Sequence, residues 1–374
     1  MRVDRVVEIS EAGDLYISGV TVVAEGIQQF LLLLGIACQV IGAGLLPYLK
    51  IQRGYPSTAP FLFFSWPILL KHLKGADVVH VHSLTPLSVF TIWLLNLSTK
   101  RSKIVLTLHT QTTAYVKSWD KSNFAQFKIS FLNYLTKYCC LHVDKVLVPS
   151  EHFRLQLMKE ISFPAVFVAT VWSSPIVRPE LPKVTREDLL SGGSVRLDSN
   201  AKVLIYYGRV GPEKGIKPLI EVIKALDPTL NIALAVVGGG EIEKYQALIP
   251  NNLKDRVSFF GQKPRGYAMA LAEHAFLAIT CSETETQGLT SLELMLMGLL
   301  LLALRGTCFD QVINQSGGGM SLGKSPKEWA ETIKLLAEFP STVIEMGAKA
   351  REYVYANYSP KARYFELLKI YRNL

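Results

Sequence analysis

The chain has only five cysteines, Cys38, Cys139, Cys140, Cys281 and Cys308, and none falls in a CxxC or other metal-ligand spacing. An odd, scattered set argues against a disulfide framework or a structural zinc site and favours a reducing compartment. The first residues, MRVDRVVEIS, are charged and then strand-like, without the pattern of a signal peptide. Low-complexity tracts and short-period repeats are lacking, which sets aside fibrous and solenoid architectures. A complete GxGxxG is lacking too, so the glycine-rich AVVGGG (235–240) is weak support for a nicotinamide site. One apolar run, FLLLLGIACQVIGAGLL (30–46), is nearly long enough to span a bilayer. Gln39 and several glycines interrupt it. It reads as the end of a helix from Gly19 to Leu34, a stop at Gly35, and a buried strand IACQVIG.

What is present points to an α/β protein. At 374 residues the chain exceeds the size of one growing core, so two domains are expected. Its 49% hydrophobic content is high for a chain that works in water. The net charge of +9, most of it in residues 1–175, suits anionic partners such as phosphates, nucleic acid or acidic lipid, and equally suits a solvated basic face. Short Val/Ile/Leu runs alternate with amphipathic segments: RVVEIS, CQVIG, ADVVHVHS, SKIVLTLHT and KVLVPS. The rhythm restarts with KVLIYYG (202–208), LNIALAVVGGG, RVSFFG, FLAITCS and LLLLALRG. Such runs read as parallel strands buried on both faces. Between the series, PIVRPELPKVTREDLLSGGSVRLDSN (175–200) has the composition of a linker. Two doubly wound domains follow, with ligands expected beyond the carboxyl ends of the strands, in a cleft between the domains.

The polar groups at those strand ends carry the chemistry. RVGPEKG (209–215) puts Arg209 and Lys214 around a turn that opens a helix, an arrangement suited to a pyrophosphate and also to a solvated basic turn. Close strand–helix packing explains AVVGGG as well as a ligand does. In CSETETQGLTSLELMLMG (281–298), Glu283 to Gln287 form an exposed turn, Gly288 gives backbone access, and a helix starts near Leu289. Glu285 lies ahead of that helix and Glu293 one turn inside it, so they can reach two hydroxyl-bearing parts of one ligand. Glu285 as a helix-dipole partner is the plainer alternative, but an unpartnered Glu293 among Leu and Met would be costly. Glu283 reads as a solvated neighbour.

Glu285 and Glu293 form an E-x7-E pair. With RVGPEKG, VVGGGE and VSFFGQ in the same order and spacing, the chain resembles the retaining glycosyltransferases of family four over nearly its whole length. The resemblance implies the GT-B fold: an N-terminal Rossmann-like acceptor and membrane domain (1–178), a C-terminal Rossmann-like nucleotide-sugar domain (179–357), and a final helix (358–374) that crosses back to the first. It implies transfer with retention from a nucleotide-sugar, with no cofactor and no essential metal, and the lack of a DxD motif is compatible with that. Arg209 and Lys214 would hold the diphosphate and stabilise the leaving nucleotide. Glu285 would bind the donor sugar with the backbone of Gln287, Gly288 and Leu289. Glu293 would bind the ribose, and Gln262 and Lys263 would lie beside the base. In the first domain, Ser18-Gly19-Val20-Thr21 resembles the loop that approaches the phosphate, and LTLHT (106–110) makes His109 the histidine near the sugar. His80 and His82 read as packed at a strand end. No general base is implied, since the donor's own phosphate oxygen would accept the proton.

The chain departs from the family pattern in three places: a single Gly19 replaces a Gly-Gly, Leu-Leu follows Gly298, and VATVWSSPIV (168–177) replaces an Asn-Gly turn. TETQGL, SGVT and TLHTQTTAY resemble the diacylglycerol glucosyltransferases more than the sucrose, glycogen or mycothiol types. That implies UDP-glucose as donor, a lipid acceptor, and a monotopic place on the cytoplasmic face of the cell membrane. Phe124, Phe127, Phe131, Leu135 and Tyr138 recur at helical spacing, with Trp119, Lys117, Lys121, Lys128 and Lys137 around them. Such a helix suits an anionic membrane surface, as FLFFSWPILLKHLKG (61–75) does, although core helices share the pattern. Other readings within the family are a GDP-mannose or other UDP-sugar donor with a phosphatidylinositol, polyprenyl-linked or saccharide acceptor. A non-catalytic regulatory subunit would have no need of four charges in one place. Nucleic acid fits poorly, because the basic residues form no stripe with stacking modules.

Overall fold

The computed structural model describes residues 1–11, 19–50, 56–97, 102–119 and 122–374. They form two units: Met1–Pro175 with Pro360–Leu374, and Ile176–Ser359.

In the first unit the strands are β1 (Arg5–Ile9), β2 (Ala37–Ile41), β3 (Leu49–Lys50), β4 (Pro56–Ser57), β5 (Val78–His82), β6 (Lys103–Thr107), β7 (Lys145–Val148) and β8 (Ala169–Val171). Six of them make a parallel sheet in the order β2-β1-β5-β6-β7-β8, and β3 and β4 pair antiparallel beside it. The central β5, VVHVH, is buried at every position, as its unbroken apolar run predicts. β2 is not buried as expected: it lies at the sheet edge, where Ala37 is exposed and Cys38 to Val40 are half-buried. The preceding helix, Gly19–Leu33, buries Val23, Ala24, Ile27 and Leu31 and is stopped at Gly35, whose φ of +74° suits glycine. The long apolar run is thereby split. Among the described residues no helix is long and apolar enough to cross a membrane.

β8 falls in the unusual VATVWSSPIV stretch, which sequence reading left without a strand. Trp172, just after it, is fully buried and donates from Nε1 to Arg363 O at 3.0 Å. That carbonyl belongs to the final helix, Pro360–Arg372, whose Tyr364, Leu367, Leu368 and Tyr371 share a core with Val6, Ile27 and Val78. A Cβ at Gly26 would sit 2.0 Å from Tyr364 Oη, so the missing side chain lets this helix approach.

The second unit holds β9 (Lys202–Tyr207), β10 (Ile232–Val237), β11 (Val257–Gly261), β12 (Leu277–Thr280), β13 (Leu301–Leu304) and β14 (Gly319–Leu322). They are parallel, in the order β11-β10-β9-β12-β13-β14. Alternate residues feed two cores on opposite faces: Val203, Ile205, Ala233 and Ala235 on one side, Leu204, Ile232, Leu234 and Val236 on the other. The strand order reverses between β9 and β12, and in doubly wound sheets ligands bind at that point.

The stretch expected to be a linker is instead largely folded into this unit. Thr185 and Asp188 form a reciprocal capping box at the start of the helix Arg186–Ser191, and Leu189, Leu190 and Leu197 are buried in the core. Its prolines and charges lie around a short helix with one apolar side.

Candidate active site

The loops at the carboxyl ends of β9, β10, β11 and β12 converge, and glycines let them. A Cβ at Gly238 would lie 1.9 Å from Gly208 O, and one at Gly240 would lie 2.1 Å from Val210 O. The AVVGGG glycines Gly238 and Gly240 therefore serve contact between two strand ends, where strand–helix packing was the alternative to a ligand. At Gly215, φ is +70° and a Cβ would lie 2.3 Å from Cys281 O, which ties the loop after β9 to the end of β12.

Each cation of RVGPEKG meets a carboxylate. Arg209 Nη2 lies 2.6 Å from Glu213 Oε1, an acid that is almost wholly buried. Lys214 Nζ lies 2.6 Å from Glu285 Oε1, with both side chains about four-fifths covered. Ser282 and Thr284 donate to Glu213 O at 3.2 and 3.0 Å, which holds the two loops together. Two residues assigned to the same ligand by sequence are thus in direct contact. Gly288 has φ +73°, and a Cβ there would lie 2.2 Å from the Phe309 ring, so only glycine fits at this helix cap. The helix runs Leu289–Leu296, and its first i→i−4 bond is Leu292 N to Gly288 O at 3.0 Å. The amides of Leu289 to Ser291 come before it and have no intrahelical acceptor. Gln287 is buried beside the cap.

Glu293 is buried with a cation that sequence reading missed. Arg265 Nε donates to Glu293 Oε1 at 2.8 Å, and the same guanidinium donates to Val177 O. Glu293 Oε2 is buried and accepts no hydrogen bond from the protein. Burial pushes its pKa up, against the pull of Arg265. The signal for Arg265 was a cation in QKPR just past the end of β11, the same kind of position that singled out Arg209. In that loop Gln262 packs against Gly239, and Lys263 Nζ lies 5.7 Å from the Tyr267 ring centre. Glu283 is exposed and pairs with Lys324 at 2.6 Å.

In the first unit, Gly19 is exposed at the start of its helix, and Ser18 lies outside the described residues. His109 follows β6, and its Nε2 lies 2.9 Å from His82 Nδ1. His82 Nε2 in turn lies 2.5 Å from Glu8 Oε2. His80 and His82 are fully buried, as expected, but hydrogen-bonded rather than merely packed.

The aromatic helices of this unit face outward. In the helix Ala125–Leu141, Ile129, Thr136, Cys139 and Cys140 are buried, whereas Phe127 and Phe131 are 71% and 52% exposed. Phe124, at the cap, is 70% exposed. Leu135 and Tyr138 are half-buried, so only the first part of the expected stripe points to solvent. The helix Leu62–Leu73 exposes Phe63, Phe64 and Trp66, and Phe63 meets Phe90 of the helix Pro86–Asn96 edge-on at 6.0 Å. Lys71, Lys74, Lys117 and Lys128 are exposed too. Lys121 and the side chain of Trp119 lie outside what is described.

Two parallel doubly wound units, with cations, carboxylates and a helix start at the switch point of the second, define the GT-B class. Residues 193–353 match the family model "Glycosyl transferases group 1" and residues 18–171 match "Glycosyltransferase Family 4". The chain belongs to the family-four glycosyltransferases. A D-inositol 3-phosphate glycosyltransferase of Corynebacterium efficiens is 28% identical over 182 residues, 46% of this chain and 43% of its own. An alpha-monoglucosyldiacylglycerol synthase of Streptococcus pneumoniae is 26% identical over 239 residues, 61% of this chain and 51% of its own. The chain thus spans about half the length of these curated relatives, or less. The structure of Anabaena HepE in complex with UDP and glucose superposes with a TM-score of 0.72 at 14% identity, over 99% of this chain and 100% of that one. At that identity the likeness carries the fold.

Proposed function

We propose that the chain transfers a hexose, glucose from UDP-glucose, with retention of configuration to a membrane lipid such as diacylglycerol. It would work without a cofactor from the cytoplasmic face of an anionic membrane. The observation that carries the lipid acceptor is the set of exposed aromatic side chains on and beside two helices of the first unit. Phe63, Phe64, Phe124 and Phe127 are each at least 70% exposed, with lysines nearby. Aromatic side chains so exposed favour an apolar partner, and lysines beside them favour acidic headgroups. The name of the Streptococcus pneumoniae relative, a glucosyldiacylglycerol synthase, points the same way.

On this reading Arg209 and Lys214 take the diphosphate, and the backbone of Gln287, Gly288 and Leu289 helps Glu285 hold the donor sugar. Glu285 accepts from hydroxyls of the glucose, Glu293 from the ribose, and His109 from the transferred sugar. Gln262 and Lys263 lie beside the base and Gly19 beside the phosphate. The cations act as the leaving nucleotide gains charge, in a site whose dipoles are already oriented. The complex of HepE with UDP and glucose supports a uridine nucleotide.

Labelled UDP-glucose, incubated with diacylglycerol vesicles with and without anionic lipid, tests this. We expect labelled glycolipid that depends on the anionic lipid and is lost in Glu285→Ala. Binding of UDP-glucose without labelled lipid would refute the acceptor. The Corynebacterium efficiens relative then favours a soluble phosphorylated acceptor.

A further inference from the structure

The sequence placed His109 near a sugar and treated His80 and His82 as packing. The structure links them in one buried hydrogen-bonded line. Glu8 of β1, His82 of β5 and His109 after β6 follow one another at 2.5 and 2.9 Å. Tyr371 Oη of the final helix donates to Glu8 Oε1 at 3.2 Å and lies 2.6 Å from His80 Nδ1. Thr107 Oγ1 lies 2.6 Å from His80 Nε2. Burial and then the charge of Glu8 hold Cys38 of β2 as a thiol.

Glu8, His80 and His82 also bring their ligand-type atoms within 4.8 Å of one another, as a metal site would. His82 Nε2 and Glu8 Oε2 stand only 2.5 Å apart, hydrogen-bond contact, whereas two ligand atoms of a tetrahedral ion stand about 3.3 Å apart. The line is a set of hydrogen bonds. It lies beside a strained residue: Ser83, next to His82, has φ +62°, which costs a non-glycine residue about 1–2 kcal/mol.

The protons in this line have one consistent arrangement. An ionised carboxylate only accepts, so His82 Nε2 carries the proton facing Glu8. A neutral imidazole has one proton, so His82 Nδ1 accepts and His109 Nε2 must donate to it. Neutral His109 then carries its lone pair on Nδ1. The environment agrees with each premise. The pKa of Glu8 is lowered to about 2, since His80 and His82 outweigh the upward push of burial. That of His82 is lowered to about 4, by burial first and His80 second, against Glu8. Burial, with His82 and His80, holds His109 well below its usual value.

We propose that Glu8 and His82 are positioning residues that fix His109 in the Nε2–H tautomer, so that Nδ1 takes a proton donor, a hydroxyl of the sugar being transferred. The sugar rests on the functional reading above; the tautomer does not. A hydroxyl can reverse its own hydrogen bond, so the effect on rate is modest. Loss of the fixed direction should slow transfer roughly three- to tenfold.

Nitrogen-15 NMR of the histidine-labelled full chain tests it, with the His109 signals assigned by their loss in His109→Gln. We expect the Nε2–H tautomer in the wild type, constant between pH 5.5 and 8. In Glu8→Gln the amide can donate as well as accept, and a mixed or inverted His109 tautomer is expected, with kcat reduced and KM for UDP-glucose little changed. Finding Nδ1–H or a protonated ring in the wild type at pH 7 overturns the proposal, and this spectrum decides it even if Glu8→Gln does not fold. An altered tautomer with unchanged kcat overturns the positioning role. Full transfer by His109→Gln refutes the reading of His109 as a sugar contact and leaves the tautomer result standing.

Discussion

Replacing Glu293 by glutamine should separate nucleotide binding from stability. Glu293 is 6% exposed, Arg265 Nε donates to its Oε1, and its Oε2 is buried without a hydrogen bond from the protein. On the proposed reading a ribose diol donates to this carboxylate. A hydrogen bond to a charged group contributes about 1.5–3 kcal/mol. Glutamine keeps one neutral acceptor and turns the other oxygen into a donor, so one charged bond is lost and the other weakened. The expected loss is about 2–3 kcal/mol, or roughly 30- to 150-fold in Kd for UDP. Stability should change little, because the charge left behind, on Arg265, is 28% exposed to water and keeps its bond to Val177 O. Calorimetric titration of wild type and Glu293→Gln with UDP and with 2′,3′-dideoxy-UDP closes a double-mutant cycle. The mutation should hurt UDP and leave the dideoxy compound nearly unaffected. A coupling below about 0.5 kcal/mol would refute the ribose assignment, whatever the absolute affinities.

Arg265→Met should destabilise by about 3 kcal/mol at pH 8, since it strands the Glu293 charge in the core. The pKa of Glu293 is already raised, and losing Arg265 raises it further, so the penalty should shrink as pH falls and the acid protonates; urea midpoints at pH 8 and pH 5 check this. Acid should weaken the first unit through two groups. His82, lowered from 6.5 to about 4, contributes stability that is complete above pH 6.5 and lost as pH falls through 4, on the order of 3 kcal/mol. Glu8, lowered from 4.5 to about 2, loses its contribution over the range below. Unfolding midpoints that stay flat from pH 7 to 4 would contradict the buried network. Phe127→Ser with Phe131→Ser should weaken binding to anionic vesicles by about 2–3 kcal/mol, roughly 30- to 150-fold, with little effect on folding, because both rings already face solvent; co-sedimentation measures it. Unchanged sedimentation would remove the membrane surface from the proposal.

Much of the fold was legible because strands buried on both faces show as unbroken runs, KVLIYY and IALAVV among them. The missed strands are short and at sheet edges: β8 has three residues, and β14, GMSL, starts on a glycine. Edge strands need less apolar sequence, so pattern finds them last. The same cause made β2 look more buried than it is. In the second unit, cations and acids at strand ends stood out singly. Their pairing did not, because Lys214 and Glu285 are brought together by β9 and β12 lying side by side, a neighbourhood fixed by topology. Arg265 stood at a strand end as Arg209 does, but its pairing with Glu293 is likewise set by topology and does not show in the sequence.

Three carboxylates in CSETETQGLTSLELMLMG raise the question of what tolerates them beside an apolar helix, and the structure supplies a cation for each: Lys324 for Glu283, Lys214 for Glu285, Arg265 for Glu293. They are not equivalent. The Lys324 pair is exposed on both sides and contributes little. The other two are covered, and covered charges whose pairing only offsets their desolvation are poor devices for stability. A chain under selection for folding alone would do as well with leucine at these positions, as it has in Leu292 and Leu294 on either side of Glu293. With Arg209 and Glu213 the region holds three cation–acid pairs, each matched in charge. On the proposed reading an anionic diphosphate does not meet bare positive charge there; it competes with Glu285 and Glu213 for Lys214 and Arg209. Glu285, released from Lys214, is then free to accept from hydroxyls at the moment a sugar arrives. On this account Lys214→Ala should weaken UDP less than its formal charge suggests, and should also disturb the placement of Glu285. Calorimetry with UDP and with UDP-glucose separates the two effects: the larger loss should fall on UDP-glucose, and equal losses would sink the idea that the pair is exchanged on binding.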